Sequence, residues 1–276
     1  MGLGFYLNQA FALNALLAAT LVAVSCGLIG PFVISRGMAF AVHGTSELAF
    51  TGAAAGLLID GNPIAGALGG ALVVAAVIGL LGVRERERDS SIGVILAFGL
   101  GLGVLLLSFY HGFASEATNI LFGNIFGVSS GQLALLLVIG LSVIIVMAIL
   151  YRPLLFASID PEVALAKGVP VRRLGILFLL VLALTVTAAA QVVGTLLVLS
   201  LAITPAAAAQ RLSARPVVVT MLSILFAIIA SAGGLIASLA IAGGTVKPSV
   251  FITSISFLIY LLARLSGPIF REHRPD

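Results

Sequence analysis

GMAFAVHGTSELAFTGAAAGLLI, Gly37 to Ile59, is apolar enough to cross a bilayer, yet it carries His43 and Glu47 four residues apart. That spacing puts two side chains on one face of a helix, about one turn apart. A carboxylate in the middle of a span is expensive, so it faces a cavity or a partner rather than lipid. Imidazole nitrogen and carboxylate oxygen are also ligands for divalent transition metals. The other ionisable residues can be placed near a membrane edge or in a loop; this pair cannot. Two readings compete. In one, His43 and Glu47 form a hydrogen-bonded pair that ties two spans together. In the other, they form a metal or proton site on a transport path. Gly44, Thr45, Ser46, Gly52, Ala53, Ala54, Ala55 and Gly56 surround the pair with small side chains. These let neighbouring helices approach and leave room beside the two polar groups.

The whole chain shares this character. Hydrophobic residues make up 61% and charged residues 9%, with a mean hydropathy of +1.26. Soluble domains carry about 25% charge, so residues 1–276 are expected to form a single integral membrane domain. Long apolar runs point to helices, because each span must satisfy its own backbone. The alternation of a membrane barrel is missing. The expected fold is therefore an all-α polytopic membrane protein, with eight or nine transmembrane helices and one short cytoplasmic helix. Cys26 lies inside the first span as small apolar filler, which excludes a disulfide framework and a thiolate cluster. The start MGLGFYLNQAF has no basic region followed by a cleavage site, so no secretory signal is expected. The net charge of +4 is scattered along the membrane edges and does not form a nucleic-acid patch.

In chain order, spans are expected at about Phe11–Ile34, Gly37–Asp60, Ile64–Val83, Ser91–Tyr110, Gln132–Tyr151, Val217–Ala242 and Ser249–Leu265. Arg84 to Asp89 alternates in charge and reads as a solvated loop. Gly93, Gly99, Gly101 and Gly103 indicate close packing of the fourth span. Asn119 to Val128 suits a short interfacial helix; nearby His111 and Glu116 read as solvated loop residues. Arg152 to Arg173 is polar. Within it Asp160 reads as an N-cap, Pro161 as the first helical position and Glu162 as a first-turn acid. Gly168 closes a helix of about two turns and Pro170 prevents its continuation. Ala164 and Lys167 lie in this capped helix. Leu174 to Gln210 is nearly twice as long as one crossing needs at about 1.5 Å per residue. Gln191 and Gly194 mark a break into two shorter spans, with Thr204-Pro205 disturbing the second. The tail RLSGPIFREHRPD is polar.

Nine spans with the N-terminus outside place every basic residue except Lys247 on the cytoplasmic side, thirteen of fourteen. An unbroken Leu174–Gln210 span would put Arg211 and Arg215 outside. Glu47 then falls near the bilayer midplane, where transporter sites are commonly built.

Three stretches together resemble the membrane permease of ABC importers for zinc, manganese or iron. The family's second span is close to SLxGDAxSHAxLPG, and Ala39–Gly52 here reads AFAVHGTSELAFTG. The family's Asp falls on His43 and its His on Glu47, so the ligand types are exchanged while the spacing of four is kept. Ile159–Leu174, IDPEVALAKGVPVRRL, resembles the family's cytoplasmic coupling helix, close to FDPEYAxAxGxPV. Ala183–Ser213, ALTVTAAAQVVGTLLVLSLAITPAAAAQRLS, resembles the region that follows. The resemblance covers nearly the whole chain. It implies a multi-pass homodimer in a prokaryotic cell membrane, C-terminus cytoplasmic, with lipid around it. His43 and Glu47 would carry the transported manganese or zinc, and the Asp160–Gly168 helix would dock a cytoplasmic ATP-binding subunit. An extracytoplasmic metal-binding protein would feed the path. No cofactor is implied in this chain, and ATP would be bound by the partner; the sequence has no GxxxxGK[ST] phosphate loop.

A proton-coupled secondary transporter is the alternative, with Glu47 as the protonatable carrier and His43 tuning it. It leaves the capped cytoplasmic helix unexplained. An intramembrane enzyme is disfavoured, since no HExxH occurs and no Ser-His dyad is evident.

Overall fold

The computed structural model describes residues 9–59, 61–81, 85–111, 119–195, 197–242 and 245–271. They form helices α1 (Ala10–Ser35), α2 (Ala39–Ile59), α3 (Pro63–Leu81), α4 (Glu85–Ser108) and α5 (Ser130–Ile159). Then come α6 (Pro161–Ala166), α7 (Val171–Val193), α8 (Val198–Ala202), α9 (Thr204–Leu212), α10 (Pro216–Ala242) and α11 (Pro248–Arg271). A 3-10 turn, Ile125–Gly127, lies between α4 and α5. No strand occurs among the described residues. Among the described residues, five helices are long and apolar enough to cross a membrane: α1, α5, α7, and the Pro216–Ile241 and Pro248–Ser266 stretches of α10 and α11.

Without a hydrophobic drive between helices in lipid, close backbone approach has to supply the packing. Gly52 and Gly56 of α2 lie against the backbone of Gly66 on α3, and Gly70 against that of α2. On the other flank of α2, Gly99 and Gly103 of α4 receive Leu48 and Phe50. The Thr51 hydroxyl donates to the Gly99 carbonyl at 2.6 Å. Gly93 and Gly101 differ from the expectation: among the described residues, no neighbouring side chain or backbone approaches them. They sit off the α2-facing stripe of their helix. α1 is the central element. It packs on α5, α7 and α10, and Ala15, Ala18, Ala19, Val22, Cys26 and Ile29 along it are buried. The outward faces are apolar instead, as Val138, Ile145 and Ile149 on α5 and Phe257, Leu262 and Leu265 on α11 illustrate.

Three boundaries correct the sequence reading. The charge run expected to be a solvated loop is helical from Glu85 onward, because Glu and Arg are good helix formers and nothing in 85–90 stops the helix. α5 continues to Ile159 through Pro153, so Arg152 to Ser158 is helix rather than a polar connection. α11 likewise runs on to Arg271, into the stretch read as a tail.

The break in Leu174–Gln210 is present. α7 stops at Val193, and Gly194 adopts φ 93° and ψ 154°, a region essentially reserved for glycine. The chain resumes as two short helices, α8 and α9, with Pro205 in the first turn of α9.

Candidate transport site and docking helix

His43 and Glu47 sit in the first half of α2, which buries most of its length. Glu47 is 4% exposed. The Nδ1 atom of His43 and the Oε2 atom of Glu47 are buried and have no hydrogen-bond partner. Buried polar atoms are nearly always paired, so two orphans one helical turn apart require an explanation. A tie between spans would consume these atoms, and here they remain open. The hydroxyls beside them are occupied: Thr45 donates to the Ala41 carbonyl at 2.7 Å and Ser46 to the Thr195 carbonyl at 2.6 Å. Among the described residues no third His, Cys, Asp or Glu joins the pair. One chain therefore offers two donors, one nitrogen and one oxygen, and leaves the rest of a coordination sphere to other groups.

The expected short helix over Asn119–Val128 is a helical turn at 119–122 followed by the Ile125–Gly127 turn. This segment docks on the break after α7. The Asn124 N–H donates to the Gln191 carbonyl at 3.4 Å and the Thr195 N–H to the Ile120 carbonyl at 3.3 Å. Gly123 and Gly194 meet backbone to backbone, where a side chain on either would collide. A cavity of about 250 Å³ opens beside this junction, between α2, α3, α5, α7 and the docked segment. Ala49, Ala53 and Leu57 of α2 line it, as do Asn119, Asn124, Gln191 and Thr195. His43 and Glu47 are not among its lining residues; the Ser46–Thr195 hydrogen bond joins their helix to its wall.

At the cavity rim the Lys247 ammonium lies 5.4 Å from the Phe122 ring centroid and 3.5 Å from Asn119 Oδ1. Desolvation draws its pKa down from the ordinary lysine range. His111 is exposed, with Nδ1 2.8 Å from the Phe109 carbonyl oxygen. Glu116 lies outside the described residues.

The capped helix forms as its residues dictate. The Val163 N–H donates to Asp160 Oδ1 at 3.0 Å, Pro161 opens the helix and Glu162 stands in its first turn. At the other end the Gly168 N–H donates to the Leu165 carbonyl at 2.9 Å and the Val169 N–H to the Ala164 carbonyl at 3.0 Å. This is the paired closure that a left-handed residue permits, and Gly168 has φ 82°. Ala164 is fully buried, while Val163 and Leu165 are 46% and 66% exposed. Glu162 and Lys167 are exposed as well. α6 thus presents two apolar side chains and two opposite charges on a body fixed at both ends.

Sequence reasoning missed the junction of 119–128 with 191–195 and the cavity it encloses. The glycines of LFGN (121–124) and VVGT (192–195) mark each segment as irregular, but nothing local to either says that they meet.

Comparison with known proteins gives a consistent picture. The model of the ABC 3 transport family matches residues 8–265. The manganese transport system membrane protein MntC of Halalkalibacterium halodurans is 34% identical over 230 residues, covering 83% of this chain and 79% of that protein. The manganese import system permease protein ScaB of Streptococcus parasanguinis is 33% identical over 189 residues, 67% of this chain and 66% of ScaB. The fold superposes on the solved structure of PsaBC from Streptococcus pneumoniae in complex with Fab. The TM-score is 0.86 at 28% identity, covering 98% of this chain and 96% of that one.

Proposed function

The chain belongs to the ABC 3 transport family, and from that premise we propose that it is the membrane permease of an ATP-driven importer for a divalent transition metal ion. Manganese is the leading candidate, ahead of zinc and iron, because similar proteins are manganese transport components. The observation that carries the reading is the pair of orphaned ligand atoms, His43 Nδ1 and Glu47 Oε2, buried one turn apart on α2. Histidine with carboxylate suits manganese, iron(II) and zinc. Two donors per chain hold an ion without caging it, which suits a path an ion must also leave.

A homodimer related by a two-fold axis would present the same pair again. α2, with 21 residues, is about 31 Å long at the usual rise and matches a bilayer core. Counting α2, α3, α4 and the broken α8–α9 stretch as crossings restores nine, with the N-terminus outside and α6 in the cytoplasm. There α6 would seat in a cleft of a separate ATP-binding subunit, its exposed Val163 and Leu165 giving contact area and Glu162 and Lys167 setting register. An extracytoplasmic metal-binding protein would deliver the ion at the opposite face. A secondary transporter would have no use for a doubly capped cytoplasmic helix.

The test is uptake into vesicles carrying the permease, its ATPase and its binding protein, with manganese, zinc and iron compared. Manganese uptake that requires ATP is the expected result. Uptake driven by a proton gradient without the ATPase would overturn the reading.

A further inference from the structure

A crevice of about 320 Å³ lies at the end of the bundle where α6 begins. α5, α9 and α10 each pack on α1 there and leave it between them. Phe32 of α1, Leu155 of α5 and Val219 of α10 line it with apolar surface. The Tyr151 hydroxyl of α5 bridges it, 3.0 Å from the Thr220 hydroxyl of α10. Thr220 gives its own hydrogen to the Pro216 carbonyl at 3.0 Å, so Tyr151 is the donor of the bridge. The inner crevice is thus apolar, with its hydroxyls paired. The faces beside it are apolar and exposed, as at Ile149 on α5 and Met221 on α10. Its rim carries charge of one sign. Arg152, Arg211 and Arg215 directly follow the lining residues Tyr151, Gln210 and Ala214, and all three are exposed. α1, α5, α9 and α10 contain no Asp or Glu. The nearest acids along the chain, Asp160 and Glu162, belong to α6, where Asp160 is occupied as the cap. The Ser213 hydroxyl, also in the lining, accepts from the Arg215 N–H at 3.2 Å and keeps its own hydrogen to donate. Arg36 is not part of this rim; its guanidinium lies 5.7 Å from the ring centroid of Phe178 on α7.

We infer that this crevice binds an anionic glycerophospholipid of the leaflet on the α6 side. One acyl chain lies against Phe32, Leu155 and Val219, and the headgroup phosphate sits among Arg152, Arg211 and Arg215. Basic pockets between transmembrane helices recognise anionic headgroups, and a guanidinium fork pairs two phosphate oxygens at once. The apolar slot supplies the second half of the recognition, since its filling removes hydrocarbon and protein surface from water. Its volume is about twice that of the roughly 150 Å³ apolar cavity that admits benzene, so a stretch of acyl chain fits. A soluble phosphate would use the rim and leave the slot empty. A zwitterionic lipid would fill the slot, but its own headgroup cation would oppose the arginines. Only an anionic lipid uses both parts. Bound there, it ties α5 to α10 beside the Tyr151–Thr220 bridge, and α5 leads directly into the Asp160 cap of α6. The lipid therefore steadies the end of α5 that carries α6. The inference is independent of which ion the permease carries.

The chain has no tryptophan, so a single introduced one is the sole indole reporter. Leu155→Trp places it at the crevice; Ile145→Trp places it on the exposed face of the same helix, outside the crevice, as the control. The full-length permease is reconstituted in vesicles of phosphatidylcholine and phosphatidylglycerol, with one lipid or the other brominated in its acyl chains. Bromine quenches indole on contact, so quenching reports which lipid occupies the reporter's surroundings. An arginine beside an anionic headgroup contributes about fivefold. Phosphatidylglycerol should therefore be preferred about tenfold or more at Leu155→Trp, and the two lipids should quench Ile145→Trp about equally. Arg211→Gln and Arg215→Gln should each lower the preference about fivefold, while Arg211→Lys and Arg215→Lys should keep most of it. Ile159→Trp, on the same face of α5, reads the same crevice should Leu155→Trp fail to fold. Equal quenching by both lipids at the crevice, or a preference that survives both glutamine substitutions, overturns the inference. Quenching by neither lipid overturns it as well, because the crevice is then covered by protein.

Discussion

Gly168 closes α6 with φ 82°, and replacing it with valine should weaken the proposed docking of α6 on an ATP-binding subunit while leaving the membrane fold intact. A side chain at this position meets nothing within 4 Å, so the penalty is purely conformational. The left-handed region costs an ordinary residue about 1–2 kcal/mol, and a β-branched residue more. The chain can escape the strain only by opening the closure. That sacrifices the Gly168–Leu165 and Val169–Ala164 hydrogen bonds, each worth about 1 kcal/mol. Either way the docking-competent form is disfavoured by about 2 kcal/mol, and a six-residue helix has no reserve of its own. Association with the ATPase should weaken about 30-fold at about 1.4 kcal/mol per factor of ten. Asparagine tolerates the left-handed region, so Gly168→Asn should bind almost normally and Gly168→Ala should fall between. Binding of the purified ATPase to detergent-solubilised permease, measured across the series, is the assay. Equal affinity for all four proteins would refute the assignment of α6 as a preformed docking element.

Gly194→Ala should destabilise the permease strongly. It adds about 1–3 kcal/mol of backbone strain to a collision with the backbone at Leu121 and Phe122, and a fall in the detergent melting temperature checks it. Gly66→Val should separate α2 from α3 and lower stability, whereas Gly101→Val, which meets open space, should leave the melting temperature unchanged. His43→Ala should change metal selectivity or uptake before it changes thermal stability, because His43 Nδ1 bonds nothing that truncation would break; a large stability loss with unaltered uptake would make the residue structural.

Local signals were legible in the sequence wherever one residue decides the backbone. Asp160, Pro161 and Gly168 mark the ends of α6 through capping, a fixed φ and a left-handed φ. Gln191 and Gly194 mark the interruption of α7 because a run of that length exceeds one bilayer. The spacing of His43 and Glu47 places both on α2 without any tertiary information. Glycine packing was legible only in part: Gly52 and Gly99 touch neighbours while Gly101 does not, and composition carries no direction. From Glu85 to Asp89 the charge run is helix and not loop, because charge alone does not stop a helix and Glu and Arg have good helix propensity. The cavity was invisible, since it depends on Thr195 meeting both Ser46 and Ile120 across long sequence separations.

The central claim is that Glu47 carries the ion, and Glu47→Gln tests it most directly. The substitution keeps shape and packing and removes only the charge. It relieves a buried carboxylate atom that has no partner, so the melting temperature should hold or rise. A buried charged contact is worth about 3 kcal/mol when lost, so manganese uptake by vesicles with the ATPase and binding protein should fall about a hundredfold. Near-normal uptake by a stable Glu47→Gln permease would contradict the account.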